Sequence, residues 1–347
     1  MKNSAAVMVG VKTMEIQERG MPVAGPDDVV VKIEHVGICG SDVHFFEDGR
    51  IGARLVEAPL ILGHESAGVV CSTGSNVRTL QPGDRVAIEP GIPCGHCEAC
   101  RSGRYNLCPE MVFRSCPPHD GMMCRYVKHP ASLCFKLPGS VSTLEGAMVE
   151  PLAVAFQSAK LGGVGPNKSV AIFGSGCIGL SILLACRYLG ASRAIVVDLF
   201  QSRLDHASRS GADLVINARD QDAVQAILDA TDGEGCDVVF EAAGSKVTTA
   251  QTSEVVRTGG TIVIAGNPIG DIPFNFRNLT LREAKLATVW RYCNEYPKII
   301  NAIAQGKLPA KDLVTDSFPF EQVREAFDKA MYDKEHVLKA VVSFTEG

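Results

Sequence analysis

The stretch SVAIFGSGCIGLSILLACRYLGASRAIVVD, residues 169–198, decides the fold of this chain. Ser169 to Phe173 is a short apolar run with the length and composition of a buried strand. It leads directly into Gly174-Ser-Gly176-Cys177-Ile178-Gly179, and an apolar segment continues to Gly190. Ala194 to Asp198 reads as a second strand. A strand, a glycine turn, a helix and a second strand ending in an acid about 20 residues on form a dinucleotide-binding fingerprint. The first glycine allows a tight turn. The second lets a pyrophosphate approach the backbone at the helix N-terminus, and the third lets the helix pack on the strand. Cofactor contacts are therefore expected from Gly174, Gly176, Cys177, Ile178 and Gly179. Asp198 suits the ribose hydroxyls of NAD and would repel the 2′-phosphate of NADP. Arg203, close behind it, weighs the other way.

Beyond this unit the alternation continues. Leu214–Ile216, Cys236–Phe240 and Thr261–Ile264 read as strands, with helical segments around Leu204–Gly211 and Asp222–Ala230 between them. This is the pattern of an α/β, doubly wound parallel sheet. Upstream of about residue 154 the texture differs. Val29–Ile33 and Asp84–Ile88 are β-rich runs, and Gln81-Pro-Gly-Asp84 suits a turn between strands. The C-terminal segment, with Pro297, Pro309, Pro319 and a helix candidate at Phe320–Met331, is expected to return to the first domain.

The chain has 347 residues, long for a single core, so two domains are expected. Its charge is mild, 34 − 39 = −5, with no basic run, which argues against a nucleic-acid partner. No segment approaches the roughly 20 apolar residues that span a bilayer, and the N-terminus lacks a signal-peptide core. A cytoplasmic setting is expected. There, thirteen cysteines imply thiols and metal ligands, not disulfides. Cys71, Cys177, Cys186, Cys236 and Cys293 read as small buried apolar residues.

Two sets of metal ligands stand out. Cys94, Cys97, Cys100 and Cys108 have the spacing of a closed tetrahedral site, best suited to a structural zinc. Cys39 and the pair His64-Glu65 form a second, incomplete set. A histidine and a carboxylate side by side in an apolar run are costly to bury without compensation. Glu150, in Met148-Val-Glu-Pro151, is a further acid in an apolar setting.

These motifs together resemble the zinc-containing medium-chain alcohol dehydrogenases, most of all the sorbitol (polyol) dehydrogenase branch. The resemblance rests on Gly37-Ile-Cys-Gly-Ser-Asp-Val-His44, Gly63-His-Glu65, the cysteine loop, Val149-Glu-Pro151, the glycine loop and Trp290-Arg-Tyr292. It implies a GroES-like β-rich catalytic domain at residues 1–153, a Rossmann NAD domain at 154–287, and a return to the catalytic domain at 288–347. It implies two zincs per chain. The catalytic one is held by Cys39, His64 and Glu65 or Glu150, and the structural one by the four cysteines. Ser41 and His44, with Glu150 as an alternative, are expected to carry the proton out. Phe45, Phe113, Arg291 and Tyr292 are expected to face a small polyol, whose secondary hydroxyl is oxidised with NAD. A homo-oligomer, dimer or tetramer, is implied. Phe45-Phe46 departs from the Tyr-Trp often found at this point in the branch. Competing readings are an L-threonine or other secondary-alcohol dehydrogenase, and a non-catalytic NAD- and zinc-binding sensor.

Overall fold

The fold is that of a computed structural model, which describes residues 2–267 and 270–345. The chain divides into two units. One comprises Met1–Glu150 with Tyr296–Gly347, and the other Pro151–Glu295.

In the second unit six strands form one parallel sheet. Their spatial order is Leu214–Asn217, Arg193–Asp198, Ser169–Phe173, Cys236–Glu241, Val256–Ile264 and Lys285–Thr288. Strand order therefore reverses beside Ser169–Phe173, the strand that feeds the glycine loop. That switch point is where such sheets bind their ligands. Val170, Ala171, Ile172 and Phe173 are all buried, because helices cover both faces of a parallel sheet. The last strand, Lys285–Thr288, was not visible in the sequence. It is an edge strand with a largely exposed, short and polar pattern, so it carries no apolar run.

In the first unit a seven-stranded sheet is organised around the strand Asp28–Gly37, which pairs with Glu65–Thr73, Tyr126–Pro130 and Ala340–Ser343. Both Glu65 and Val341 sit in register with Gly37. The C-terminal segment thus returns to this unit as a strand, and that register positions the site described below. The helix Gly40–Asp48 follows the central strand and packs Phe46 on Phe327 of the helix Val323–Tyr332, with ring centroids 5.0 Å apart. The Gln81–Asp84 turn is closed by the Asp84 N–H on Gln81 O, 3.1 Å.

None of the thirteen cysteines, all among the described residues, forms a disulfide. Cys186, Cys236 and Cys293 are buried as expected, but Cys71 is exposed and Cys177 only half-buried. Cys71 falls at a register shift in its strand, between Val70 and Ser72, and Cys177 is the first residue of the helix after the glycine loop. Among the described residues no helix is long and apolar enough to cross a membrane.

Candidate active site and metal centres

The central strand of the first unit ends at Gly37, and Cys39 caps the helix Gly40–Asp48. The cap is completed by Asp42, whose Oδ2 accepts the Cys39 N–H at 3.2 Å. The other oxygen, Oδ1, accepts the Gly63 N–H at 3.1 Å and the Ser115 hydroxyl at 2.5 Å. It also lies 3.4 Å from His64 Nδ1. Gly63 has φ +90, and a Cβ there would sit 2.7 Å from Val36 and 2.8 Å from Met123, so only glycine lets the chain turn and present His64. The donor atoms of Cys39, His64 and Glu65 all lie within 4.8 Å of one another.

Glu65 is held from two sides. Its Oε1 accepts from Lys339 Nζ at 2.6 Å, and Lys339 also donates to Ile38 O at 3.0 Å. Both side chains are buried, at 4% and 1% exposure. Its Oε2 is buried with no hydrogen-bond partner and lies against Gly37, where a Cβ would stand 2.1 Å away. Lys339 immediately precedes the strand Ala340–Ser343, so the pairing of that strand with Gly37 delivers the lysine to Glu65. Lys339, Asp42 and Ser115 were not foreseen from the sequence.

These residues fit a bound cation. Burial weighs against a charged imidazole, yet Asp42 and Cys39 beside it hold His64 well above its ordinary pKa. The surroundings of this ring thus favour positive charge, and Glu65 Oε2 is a further unpartnered acceptor. A buried acceptor of this kind, beside a thiol and an imidazole, suits a cation. Among the described residues, Glu150 is not in the converging set.

The cysteine loop fits a second ion. Its four sulfurs lie within 4.8 Å of one another, with Cys97–Cys100 at 3.4 Å and Cys94–Cys100 at 4.0 Å. Tetrahedral zinc–thiolate geometry places sulfurs about 3.8 Å apart. The Cys94, Cys97 and Cys100 N–H groups point at sulfurs of Cys108, Cys94 and Cys97 at 3.3, 3.4 and 3.5 Å. Hydrogen bonds from His96 and Cys97 lower the Cys94 thiol to about 6, while burial pushes Cys100 to about 12. Four converging sulfurs suit a soft cation that would hold them as thiolates, and with all four positions taken none would be left for substrate. Cys100→Ser is therefore expected to lower thermal stability and zinc content together, with little change in turnover per folded, loaded active site. Normal zinc content and an unshifted midpoint in differential scanning calorimetry would contradict a structural role.

A buried acid unnoticed in the sequence links this loop to the strand beside it. Tyr105 Oη donates to Glu89 Oε1 at 2.8 Å, and burial raises the Glu89 carboxyl to about 7, with the Tyr105 bond lowering it and Glu150 raising it. The folded pKa lies above the ordinary carboxyl value of 4.5. This contribution is therefore complete below pH 4.5 and is lost as pH rises through 7, to a limit of roughly 3 kcal/mol. The thermal midpoint should fall between pH 5 and 8, and Glu89→Gln should flatten that slope. Equal slopes for the two proteins would refute the assignment.

The remaining expected residues are spread across both units. Ser41 and His44 share the helix Gly40–Asp48. Ser41 is half-buried, while the His44 side chain is 48% exposed and 3.7 Å from Asp48. Phe113 packs its ring 5.5 Å from His64. Phe45, expected against substrate, is instead part of the apolar core at 4% exposure, because it lies on the inward face of its helix beside Phe46. Arg291 and Tyr292 belong to the second unit. Tyr292 is 3% exposed, and Arg291 has φ +54 with its guanidinium 5.0 Å from the Trp290 ring.

The glycine loop has the expected form. Gly174 has φ +94, and Gly179 lies so close to Gly174 O that a Cβ would stand 1.8 Å from it. Gly176 caps the helix Cys177–Tyr188, which places Cys177 and Ile178 in its first turn. Asp198 is more occupied than expected. Its Oδ2 accepts the Ser175 N–H at 2.7 Å, and its Oδ1 accepts those of Leu199 and Phe200 at 2.7 and 3.0 Å. It therefore shapes the loop as well as charging it. Arg203 and Arg219 stack on Phe200 at 5.3 and 4.7 Å.

A parallel nucleotide-binding sheet joined to a unit with a three-donor Cys/His/Glu centre and a four-cysteine loop defines a zinc-type dehydrogenase. Residues 25–139 match the alcohol dehydrogenase GroES-like domain, and residues 177–305 match the zinc-binding dehydrogenase family. The chain is 41% identical to a sorbitol dehydrogenase of Bacillus subtilis, covering 97% of this chain and 96% of that protein. It is 42% identical to an L-idonate 5-dehydrogenase of Vitis vinifera, covering 94% and 91%. Among solved structures, an Escherichia coli oxidoreductase/dehydrogenase of unknown specificity, ECK1772, matches with a TM-score of 0.97 at 42% identity over 100% of both chains. A putative zinc-binding dehydrogenase from Sinorhizobium meliloti, bound to NADP, matches with a TM-score of 0.91 at 28% identity over 99% of each. The chain belongs to the zinc-containing alcohol dehydrogenase family.

Proposed function

We propose that this enzyme oxidises a secondary hydroxyl of a sugar alcohol to a ketose, with NAD as acceptor. The observation that carries the reading is the buried convergence of Cys39, His64 and Glu65. Its three donors would hold a zinc ion. A zinc there would supply Lewis-acid polarisation of a substrate hydroxyl, and a nicotinamide held by the second unit would supply the hydride acceptor.

The chain's own residues do the rest. Asp42 orients His64, and Lys339 and Gly37 fix the carboxylate of Glu65, so the donors are set before substrate arrives. Phe113 covers the His64 ring and keeps water from that side. The hydroxyl of Ser41 passes the substrate proton on, and His44, exposed on the same helix, releases it to solvent. In the second unit the N–H groups of the Gly176–Gly179 turn receive the pyrophosphate. Asp198 presents its charge at the ribose end, which supports NAD over NADP. The resemblance to sorbitol dehydrogenases supports the polyol, as does Arg291. A non-glycine residue held at positive φ stores strain that tends to accompany a binding role.

NAD reduction measured across sorbitol, xylitol, galactitol, arabinitol and threonine tests the substrate, and the same assays with NADP test the cofactor. Preference for threonine, or for NADP, would overturn the respective part. Arg291→Ala is expected to lower kcat/KM for the preferred polyol by about 10- to 100-fold, the scale of a charge-assisted hydrogen bond. Oxidation of a monohydric secondary alcohol should suffer much less. An equal loss on both substrates would assign Arg291 to the fold or the cofactor.

A further inference from the structure

Two buried acids flank the strand that feeds the glycine loop. Asp198 ends one of its neighbours and Glu241 ends the other, Cys236–Glu241. They are 8% and 0% exposed. Asp198 gathers the backbone of the glycine loop, and Glu241 gathers the far side of the switch point. Its Oε1 accepts the Ala243 and Gly244 N–H groups at 3.0 and 2.9 Å and the Thr248 hydroxyl at 2.7 Å. Its Oε2 accepts the Gly244 N–H at 3.2 Å. Its backbone carbonyl takes the Ala265 and Gly266 N–H groups, both at 2.8 Å.

One residue thus ties the segment after its own strand to the segment after the neighbouring strand, Val256–Ile264. The two segments approach closely. A Cβ on Gly266 would stand 2.4 Å from Glu241 Oε2 and 2.6 Å from Gly244 N. The first segment also abuts the glycine loop. Ala242 N–H donates to Phe173 O at 2.8 Å, and a Cβ on Gly174 would stand 2.8 Å from Ala243 N. A buried carboxylate is costly unless hydrogen bonds meet its charge. Being acceptor-only when ionised, it suits a socket of N–H and O–H donors. The charge of Glu241 is therefore committed to the shape of these loops.

A dinucleotide lies across the switch point, with one half on each side. The glycine loop and Asp198 are expected to take the pyrophosphate and the adenosine. The second ribose and the nicotinamide then extend the other way, over the ends of Cys236–Glu241 and Val256–Ile264. We propose that Glu241 is a positioning residue for the nicotinamide half of the cofactor, acting through the segments 242–245 and 265–267 that receive it. This rests on the dinucleotide reading above and deepens it.

The test compares binding of NADH with binding of ADP, which carries the adenosine and two phosphates but no nicotinamide. Isothermal titration is run on wild type, Glu241→Gln and Thr248→Val. Glutamine keeps one acceptor oxygen and sets an amide donor among N–H groups. In Glu241→Gln the Kd for NADH should rise about 10-fold or more, the scale of a lost hydrogen bond to a charged group. ADP should bind nearly as in wild type, because Ser175 N–H stays on Asp198 and Gly174 N–H stays on Val197 O. Thr248→Val removes one donor from Oε1. It should move the ratio of NADH to ADP affinity in the same direction by less, and it serves if Glu241→Gln does not fold. Parallel losses for the two ligands would mean a general loosening of this unit. An unchanged ratio in both variants would mean that Glu241 only stabilises its loop. Either result overturns the proposal while dinucleotide binding stands. NADPH replaces NADH if wild type binds it more tightly. If wild type binds neither, the dinucleotide reading itself fails, and the proposal with it.

Discussion

His64→Ala is expected to lower kcat/KM by at least about 1,000-fold, because polarisation of the reacting oxygen by a bound metal supplies several kcal/mol of the rate. Nucleotide binding should persist, since the Gly174–Gly179 loop and Asp198 belong to the other unit. Isothermal titration with the dinucleotide, beside steady-state turnover, checks both halves. One zinc per chain should remain in the variant, held by the four cysteines, against an expected two in wild type. Retained turnover in a zinc-free preparation would reject the catalytic assignment. A simultaneous loss of nucleotide affinity would show that the two sites are not independent.

The second large effect concerns Lys339. Lys339→Met leaves the Glu65 carboxylate buried without its partner, a change that costs about 3–5 kcal/mol in buried pairs. The cost should depend on metal. In chelator Glu65 has nothing to offset its charge, whereas with zinc present its Oε2 meets a cation. The gap between the melting temperatures in chelator and in zinc should therefore widen in Lys339→Met relative to wild type. Adding Glu65→Gln to that variant should recover much of the metal-free stability, since neutralising both members of a buried pair is tolerated far better than removing one. A metal-free midpoint equal to that of wild type would mean that the pair contributes no stability.

Much of the fold was legible because its signals are local. The glycine loop and its flanking strands occupy thirty consecutive residues, 169–198, and each glycine has a separate geometric reason to be there. The cysteine loop is likewise read from spacing alone. Cys39 and His64 were legible by residue type in an apolar context. Their support was not. Lys339 lies 274 residues from Glu65, and a lone lysine before an apolar strand carries no sign of a buried partner. Asp42 and Ser115 look like ordinary helix-cap and loop residues until the fold brings them together. Phe45 was misplaced for the opposite reason. The motif around it is functional, but the side chain's own position on the helix points inward, and helical phase cannot be judged from a nine-residue segment without knowing what it packs on. The edge strand Lys285–Thr288 escaped notice because an edge needs no continuous apolar run, and the return of the chain, expected from residue 288, comes at Tyr296.

The distance in sequence between Glu65 and Lys339 also sets an order of assembly. The 274 residues from Ser66 to Lys339 take a ribosome roughly 14–55 s to add, at about 5–20 residues per second. The entire nucleotide-binding unit is synthesised within that interval. The four-cysteine loop, whose last ligand is Cys108, emerges early and can close on its ion while the chain is still growing. The nascent Glu65, by contrast, waits beside Gly37 with no ammonium to meet it. A metal ion captured during synthesis would offset that carboxylate before Lys339 is made, and cellular zinc supply would then bear on how much of this protein folds, not only on how much of it works.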